Sequence, residues 1–417
     1  MMVPLAGLVD TAFLGHLADL NQLAGVILGG ILFDYLYRIL KFLRSSTIAL
    51  TASAPEGEAL LTVLLRSLMV ALTIGFSILL LQYPICNLGF ALIAGSPDLE
   101  ASGVNYFNGR VWGAPAVLGN FVLIGWFLGQ EKTAVVLLMS LVGNGVNIIL
   151  DYLMINPWGS GGAGLATAIS QYCAFFVGVI IAIKTIGWFP GVLNSLLTEV
   201  GFKQTITLKA NVLIRFLVLI SVFAIFTNLS ARLGSNFLTE NGLLLQIALL
   251  SQFTIQGIGM TTQTLVGRLY KEGEAQQMLP LIQISIIFST TIALLIGLIT
   301  VAFPKFVFSL LTNHLEIQTA MESYDFWLLP LLIFTAVAFM LEGYFIGLKE
   351  GTILRNSSIY SFLWGFLPLA GLGVYYQNNH LLWAALTLYM LSLAISLALQ
   401  LPQTQRLVSA NFSETAP

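Results

Sequence analysis

Charge is scarce in this 417-residue chain: Lys and Arg number 17 and Asp and Glu 19, together 9% of positions. A soluble globular domain carries roughly a quarter of its residues charged, so this composition excludes one. The cations are scattered singly and the formal net charge is only -2, which leaves no basic patch for nucleic acid. Cysteine is nearly absent. Cys86 and Cys173 lie in or beside apolar stretches with no second Cys or His at a metal-ligand spacing, and read as packing residues without a metal or redox role. Histidine is equally sparse. His16, His314 and His380 all fall in predicted outer loops, so no buried histidine is available as a proton relay. With no nucleophile beside a buried base and no metal motif, neither an enzyme nor a bound cofactor is indicated.

Apolar residues fill the space that charge leaves, at 57% of the chain, and a bilayer is the solvent that such a composition fits. Runs of helical length, punctuated by Gly, Pro, Asn and charge, predict eleven spans at about 23–43, 59–83, 106–129, 133–155, 162–184, 206–231, 242–267, 279–303, 325–348, 356–376 and 381–401. Before them, Met1 to Leu17 is apolar but lacks the cationic opening of a secretory signal. It is shorter than the about 20 residues a span needs, so the expectation is a truncated first helix or a start site further upstream. The fold class expected is therefore an all-α polytopic membrane protein of twelve spans. The longest break, about 185–205, sets its organisation: an N-terminal six-helix bundle over 1–190, a cytoplasmic linker over 191–204, a C-terminal six-helix bundle over 205–402 and a cytoplasmic tail over 403–417.

Lys and Arg accumulate on cytoplasmic loops. With both termini inside, twelve of them, from Lys41 and Arg44 to Arg355 and Arg406, fall on the cytoplasmic side, and only Arg110, Arg232 and Lys305 fall outside. A multi-pass membrane protein with both termini cytoplasmic follows, with the lipid bilayer as its solvent.

The halves repeat. At an offset of 218, Tyr106 lies over Tyr324 and Gly125-Trp126-Phe127-Leu128-Gly129 over Gly343-Tyr344-Phe345-Ile346-Gly347. At 215, Ser46-Thr47-Ile48-Ala49-Leu50 lies over Thr261-Thr262-Gln263-Thr264-Leu265, and Pro84 and Pro304 each close a third span. Matches in the same order at nearly one offset argue for duplication. An even number of spans per half relates the halves by an axis along the membrane normal, an architecture suited to alternating access.

Ionisable groups inside a span are costly and become functional candidates by default. Asp10 lies about 7 residues from the outer end of span one and Asp151 about 5 from that of span five, so both sit roughly 7 to 10 Å deep. Asn144, Asn147 and Asp151 share one face of span five, and Thr167 in span six falls at a similar depth. Such oxygen donors can hold a proton or a hard cation such as Na⁺, or tie helices together; two acids in one half at one depth favour the first. The second half offers Leu369 and Ala370 where Asp151 would repeat, and span seven carries no acid. Asp34 and Arg38, at i and i+4 in span two, are expected to form a structural bridge. Arg215 and Glu342 lie near cytoplasmic ends, where the arginine can snorkel and the acid can pair with a basic loop residue. Gln252, Gln256 and Gln263 share a face of span eight and either line a cavity or bond between helices.

Several segments resemble a known family. Pro4-Leu5-Ala6-Gly7-Leu8-Val9-Asp10-Thr11-Ala12-Phe13-Leu14-Gly15-His16-Leu17, Phe42-Leu43-Arg44, Ala231-Arg232-Leu233-Gly234, Leu265-Val266-Gly267 and Glu342-Gly343-Tyr344-Phe345-Ile346-Gly347 resemble the DinF-like branch of the multidrug and toxic compound extrusion (MATE) family. The resemblance implies a twelve-helix antiporter that expels organic, often cationic, compounds in exchange for H⁺ or Na⁺. It also implies that the family's helix-one acid is Asp10, that its helix-five Asn-x-x-x-Asp is Asn147 and Asp151, and that its helix-six hydroxyl is Thr167. Positions in spans seven and ten that other branches make acidic are not acidic here, which disfavours coupling in the second half. The alternatives are a flippase for lipid-linked precursors, which would want more intramembrane cations than Arg38 and Arg215, and an organic-acid exporter.

Overall fold

A computed structural model describes residues 20–92, 97–186, 196, 199–311 and 315–415. All regular elements among the described residues are helical, as hydrocarbon demands of a chain that must satisfy its backbone polar groups within each segment. Contacts divide the chain between Thr205 and Ile206 into two compact units.

In the first unit, α1 (Leu20–Leu40) continues into α2 (Phe42–Ala52) across Lys41, whose own backbone is helical, and the pair makes span two. Span three is α3 (Glu58–Leu80). A short helix α4 (Gln82–Leu92) follows it. Span four comprises α5 (Pro97–Arg110) and α6 (Ala114–Gly129), joined by a tight turn at Val111–Gly113. The next element, α7 (Thr133–Ile186), has 54 residues. Straight, it would run about 80 Å, far beyond the roughly 30 Å of a hydrocarbon core. It is instead a hairpin. Gly159, two residues after Pro157, leaves the helical region at φ 55° and ψ -136°, and Gly178 packs on Met139 and Gly143 on Ala174. The two antiparallel arms are spans five and six.

The second unit repeats the plan. Spans seven, eight and nine are α8 (Glu199–Leu233), α9 (Ser235–Glu272) and α10 (Ala275–Ala302). Short helices α11 (Pro304–Ser309) and α12 (Leu315–Met321) come next. Span ten is α13 (Leu328–Gly347), entered through a turn at Asp325–Trp327. Span eleven joins α14 (Gly351–Tyr360) to α15 (Leu367–Tyr375) through a π-helical stretch at Ser361–Phe366. Span twelve, α16 (Asn379–Thr415), runs on through the stretch predicted as a tail. Among the described residues nine helices are long and apolar enough to cross a membrane. The hairpin α7 counts once among them, and α1–α2 is not counted. The protein is an integral, multi-pass membrane protein. Pro84 differs from expectation, since span three ends at Leu80 and leaves Pro84 inside α4, whereas Pro304 stands just past the end of span nine at Ala302 and begins α11.

The sequence repeat has a packing counterpart. In the first unit α6 crosses α2 where Gly125 meets the Arg44 carbonyl and Gly129 the Ile48 carbonyl; in the second α13 crosses α9 where Gly343 meets the Gly259 carbonyl and Gly347 the Gln263 carbonyl. The glycines differ by 218 in number and their partners by 215, the same offsets that align the sequences. A Cβ at any of the four would come within 2.6 to 2.9 Å of the facing carbonyl, so these are small-residue crossings of the kind that bring membrane helices together. The chain leaves both crossings by one kind of turn. Glu131 and Lys349 have φ of 62° and 63°, and the following amides, Lys132 N–H and Glu350 N–H, donate to Phe127 and Phe345 carbonyls at 2.9 and 2.8 Å.

Candidate functional site

The first arm of α7 buries a stripe at every fourth residue, Met139, Gly143, Asn147, Asp151 and Ile155, while Leu141, Ile148, Ile149 and Tyr152 are exposed. The arm thus turns an apolar face outward and an amide and a carboxylate inward. Asp151 has no exposed surface and Asn147 only 4%. The hairpin contacts of Met139 with Gly178 and Gly143 with Ala174 put residue 151 level with residue 166, so Thr167 stands beside Asp151 in height. The Thr167 hydroxyl donates to the Ala163 carbonyl at 3.0 Å, which leaves its oxygen lone pairs as acceptors. The Asn147 Nδ2 has no hydrogen-bond acceptor among the described residues. Asn144, half-buried, donates to the Ser140 hydroxyl at 3.3 Å. Asp10, His16 and His314 lie outside the described residues.

The helix around Arg110 is longer than expected. The sequence sets Arg110 at the outer edge of span four, but α5 begins at Pro97, thirteen residues earlier. Phe33 of α1 stacks on Phe107 of α5 at 5.1 Å between centroids, and Gly164 of α7 meets α5 at Tyr106 and Arg110. These contacts bring Asp34, Arg110 and Asp151 to within about a helical turn, roughly 5 Å, of one level. The Arg110 guanidinium lies 4.8 Å from the Phe33 ring centroid and 5.5 Å from that of Tyr106, and its Nη1 donates to the Tyr106 hydroxyl at 2.7 Å. Tyr37 is buried beside them with no hydrogen-bond partner for its hydroxyl among the described residues. Sequence reasoning missed this aromatic-lined cation. Its signal was the helix-compatible stretch from Pro97 onward, which extends span four outward past Arg110.

Asp34 and Arg38 are both exposed, and no ion pair joins them among the described residues, contrary to the bridge expected. Arg215 and Glu342 do pair, with each other. The Arg215 Nε donates to Glu342 Oε1 at 2.5 Å and its Nη2 to Oε2, with both side chains 4% exposed. Rather than snorkelling, the guanidinium rests against the rings of Phe216 and Phe339, 4.8 and 5.4 Å from their centroids. The glutamines of α9 separate: Gln252 and Gln263 are buried, the latter at the α9–α13 crossing, and Gln256 is half-buried.

The MatE family model matches residues 1–153 and 211–369, one stretch in each unit. The DNA damage-inducible protein F of Escherichia coli K12 is 31% identical over 407 residues, 95% of this chain and 87% of that protein. Among solved structures, a MOP superfamily transporter from Pyrococcus furiosus superimposes with a TM-score of 0.84 at 19% identity, over 98% of this chain and 93% of that one. An outward-facing multidrug resistance MATE family transporter gives 0.81 at 20% identity, over 98% and 93%.

Proposed function

We propose, from the premise that this chain belongs to the MATE family of multi-pass membrane transporters, that it exports small organic compounds in exchange for H⁺ or Na⁺ and that the coupling ion binds in the first unit. The observation that carries the site is the complete burial of Asp151 on a hairpin that sets it level with Thr167 and one turn from Asn147. A carboxylate withdrawn from water in this way favours a proton or a cation bound to it. Asp151, Asn147 and Thr167 supply oxygen acceptors on two facing arms, which suits H⁺ on the carboxylate or a hard cation such as Na⁺ among the oxygens. Asp10, the acid of the predicted first span, completes the set in this proposal.

The ion and the substrate then bind exclusively, and the free-energy coupling between them drives exchange. Both termini are cytoplasmic in this proposal, the membrane is the inner cell membrane, and the monomer transports. Residues 1–190 form the bundle that holds the coupling site, 191–204 the linker, 205–402 the second bundle and 403–417 the tail. The flippase alternative loses one of its cations, because Arg215 already turns the Nε–Nη2 edge of its guanidinium to Glu342. Asp10→Asn in proteoliposomes tests the site: the substitution is expected to abolish export driven by an imposed pH or Na⁺ gradient, and gradient-driven export at the unsubstituted rate would refute it.

A further inference from the structure

Span eleven carries its charge at one end only. From Leu348 to Tyr376 the Lys, Arg, Asp and Glu residues are Lys349, Glu350 and Arg355, and from Asn379 to Arg406 of span twelve there is Arg406 alone. The two spans are antiparallel neighbours: Gly373 packs on Leu382 and Gly365 on Ser392, and the Ser396 hydroxyl donates to that of Ser357 at 2.9 Å. That register sets Arg406 about one helical turn beyond the start of α14 at Gly351. Three cations therefore gather around one acid at this end of the second unit, and Lys349 and Arg406 are exposed.

Arg355 is held in place without being neutralised. Its Nη1 donates to Asn211 Oδ1 of α8, and its Nε and Nη2 both donate to Asn356 Oδ1, each at 3.1 Å. It makes no ion pair among the described residues, unlike Arg215 in the same unit. Of its five N–H groups two remain for another acceptor. The side chain is half-buried and lies roughly 6 Å inside the start of α14. A guanidinium fixed by neutral amides at that depth suits an oxyanion. Further along the span the exposed side chains are apolar: Tyr360, Leu363, Trp364 and Leu367 are 58%, 44%, 75% and 38% exposed. Tyr375 and Tyr376, also exposed, close the span where an aromatic belt meets the opposite interface. An anion site at the edge of the bilayer thus continues into a surface for hydrocarbon.

We propose that this end of span eleven binds an anionic phospholipid, with the phosphate on Arg355 and an acyl chain along Tyr360, Leu363, Trp364 and Leu367. Lys349 and Arg406 set the selectivity: they attract a headgroup whose net charge is negative, whereas the ammonium of a zwitterionic headgroup meets like charge there. The proposal takes its leaflet, the cytoplasmic one, from the orientation proposed above, and it is independent of where the coupling ion binds.

The test uses the full chain in nanodiscs of phosphatidylcholine with a minor fraction of phosphatidylglycerol, the acyl chains of one lipid or the other carrying bromine. Bromine quenches indole fluorescence on contact, and the share that belongs to Trp364 is the part lost in Trp364→Phe. Mole for mole, phosphatidylglycerol is expected to occupy the site about tenfold more readily than phosphatidylcholine, a preference of the size one charge-assisted contact contributes. Arg355→Gln is expected to bring the ratio to about one. Arg355→Lys, which keeps the charge and loses the planar fork, is expected to lower it about threefold. Lys305→Gln removes the same charge from exposed α11 and is expected to leave the ratio unchanged. Equal quenching by the two lipids in the unsubstituted protein, or equal losses in Lys305→Gln and Arg355→Gln, would overturn the proposal. So would a preference abolished by excess inorganic phosphate, which would assign the site to the free anion. Loss of gradient-driven export in Asp10→Asn with the lipid preference intact separates this proposal from the coupling site.

Discussion

Arginine keeps its charge in any protein environment, so Arg215 inside the second unit needs a partner, and Glu342 is that partner through the Nε–Nη2 edge of the guanidinium. Taking one member away leaves the other charge buried. Glu342→Gln is expected to destabilise the folded protein by about 3 kcal/mol, seen as a lowered Tm in detergent. Arg215→Met together with Glu342→Leu replaces the pair with apolar bulk and is expected to recover most of the loss; a Tm unchanged by the single substitution would contradict the pairing. The sequence placed both residues near the cytoplasmic ends of their spans but left the pairing unseen, because they stand 127 positions apart and nothing in either helix's own periodicity joins them. The start of the helix that carries Arg110 was missed for a related reason. Hydropathy ends a span at the last apolar run, while the helix continues outward through Pro97–Asn105, where its composition is polar.

At the scale of elements the repeat was legible because it is written in residues that geometry constrains. Gly125 and Gly129, and their counterparts Gly343 and Gly347, sit where a facing carbonyl leaves no room for a Cβ, so the motif is visible as glycines four apart. Gly343→Leu and Gly125→Leu are each expected to cost roughly 2 kcal/mol or more through overpacking. Gly371→Ala, at a helical position with nothing near the added carbon, is expected to be neutral or stabilising by up to about 1 kcal/mol. Thermal melts of the three variants decide the matter: equal Tm values would show that the crossings do not depend on glycine. The short helices α4, α11 and α12 escaped the sequence reading. With 11, 6 and 7 residues they are too brief to cross a bilayer, and a search for spans passes over them. The hairpin fold of α7 was legible, since Pro157 and the glycines after it break the apolar run at the point where the chain turns.

Across the whole molecule the two units share a plan and differ in chemistry. Each carries the same glycine crossing and the same exit turn, yet the first unit buries the acid of α7 on one stripe with Asn147, whereas the second buries the acid of α13 in an ion pair with Arg215. The duplication therefore supplies the scaffold twice and, in our account, the coupling site once. That asymmetry could be read from the sequence as far as the absence of an acid at Leu369 and Ala370; the burial of Asp151 could not, because a periodicity shows which residues share a face without showing which way the face turns. The account's central claim is that ion movement and solute movement are obligatorily linked through the first unit. The direct measurement is ion flux in proteoliposomes on adding a transported solute, followed with a pH indicator and with a Na⁺ indicator. Solute is expected to evoke counter-movement of one of the two ions with the unsubstituted protein and none with Asp151→Asn, while Glu342→Gln protein that remains folded keeps it. Solute-evoked ion flux of full size in Asp151→Asn would contradict the account.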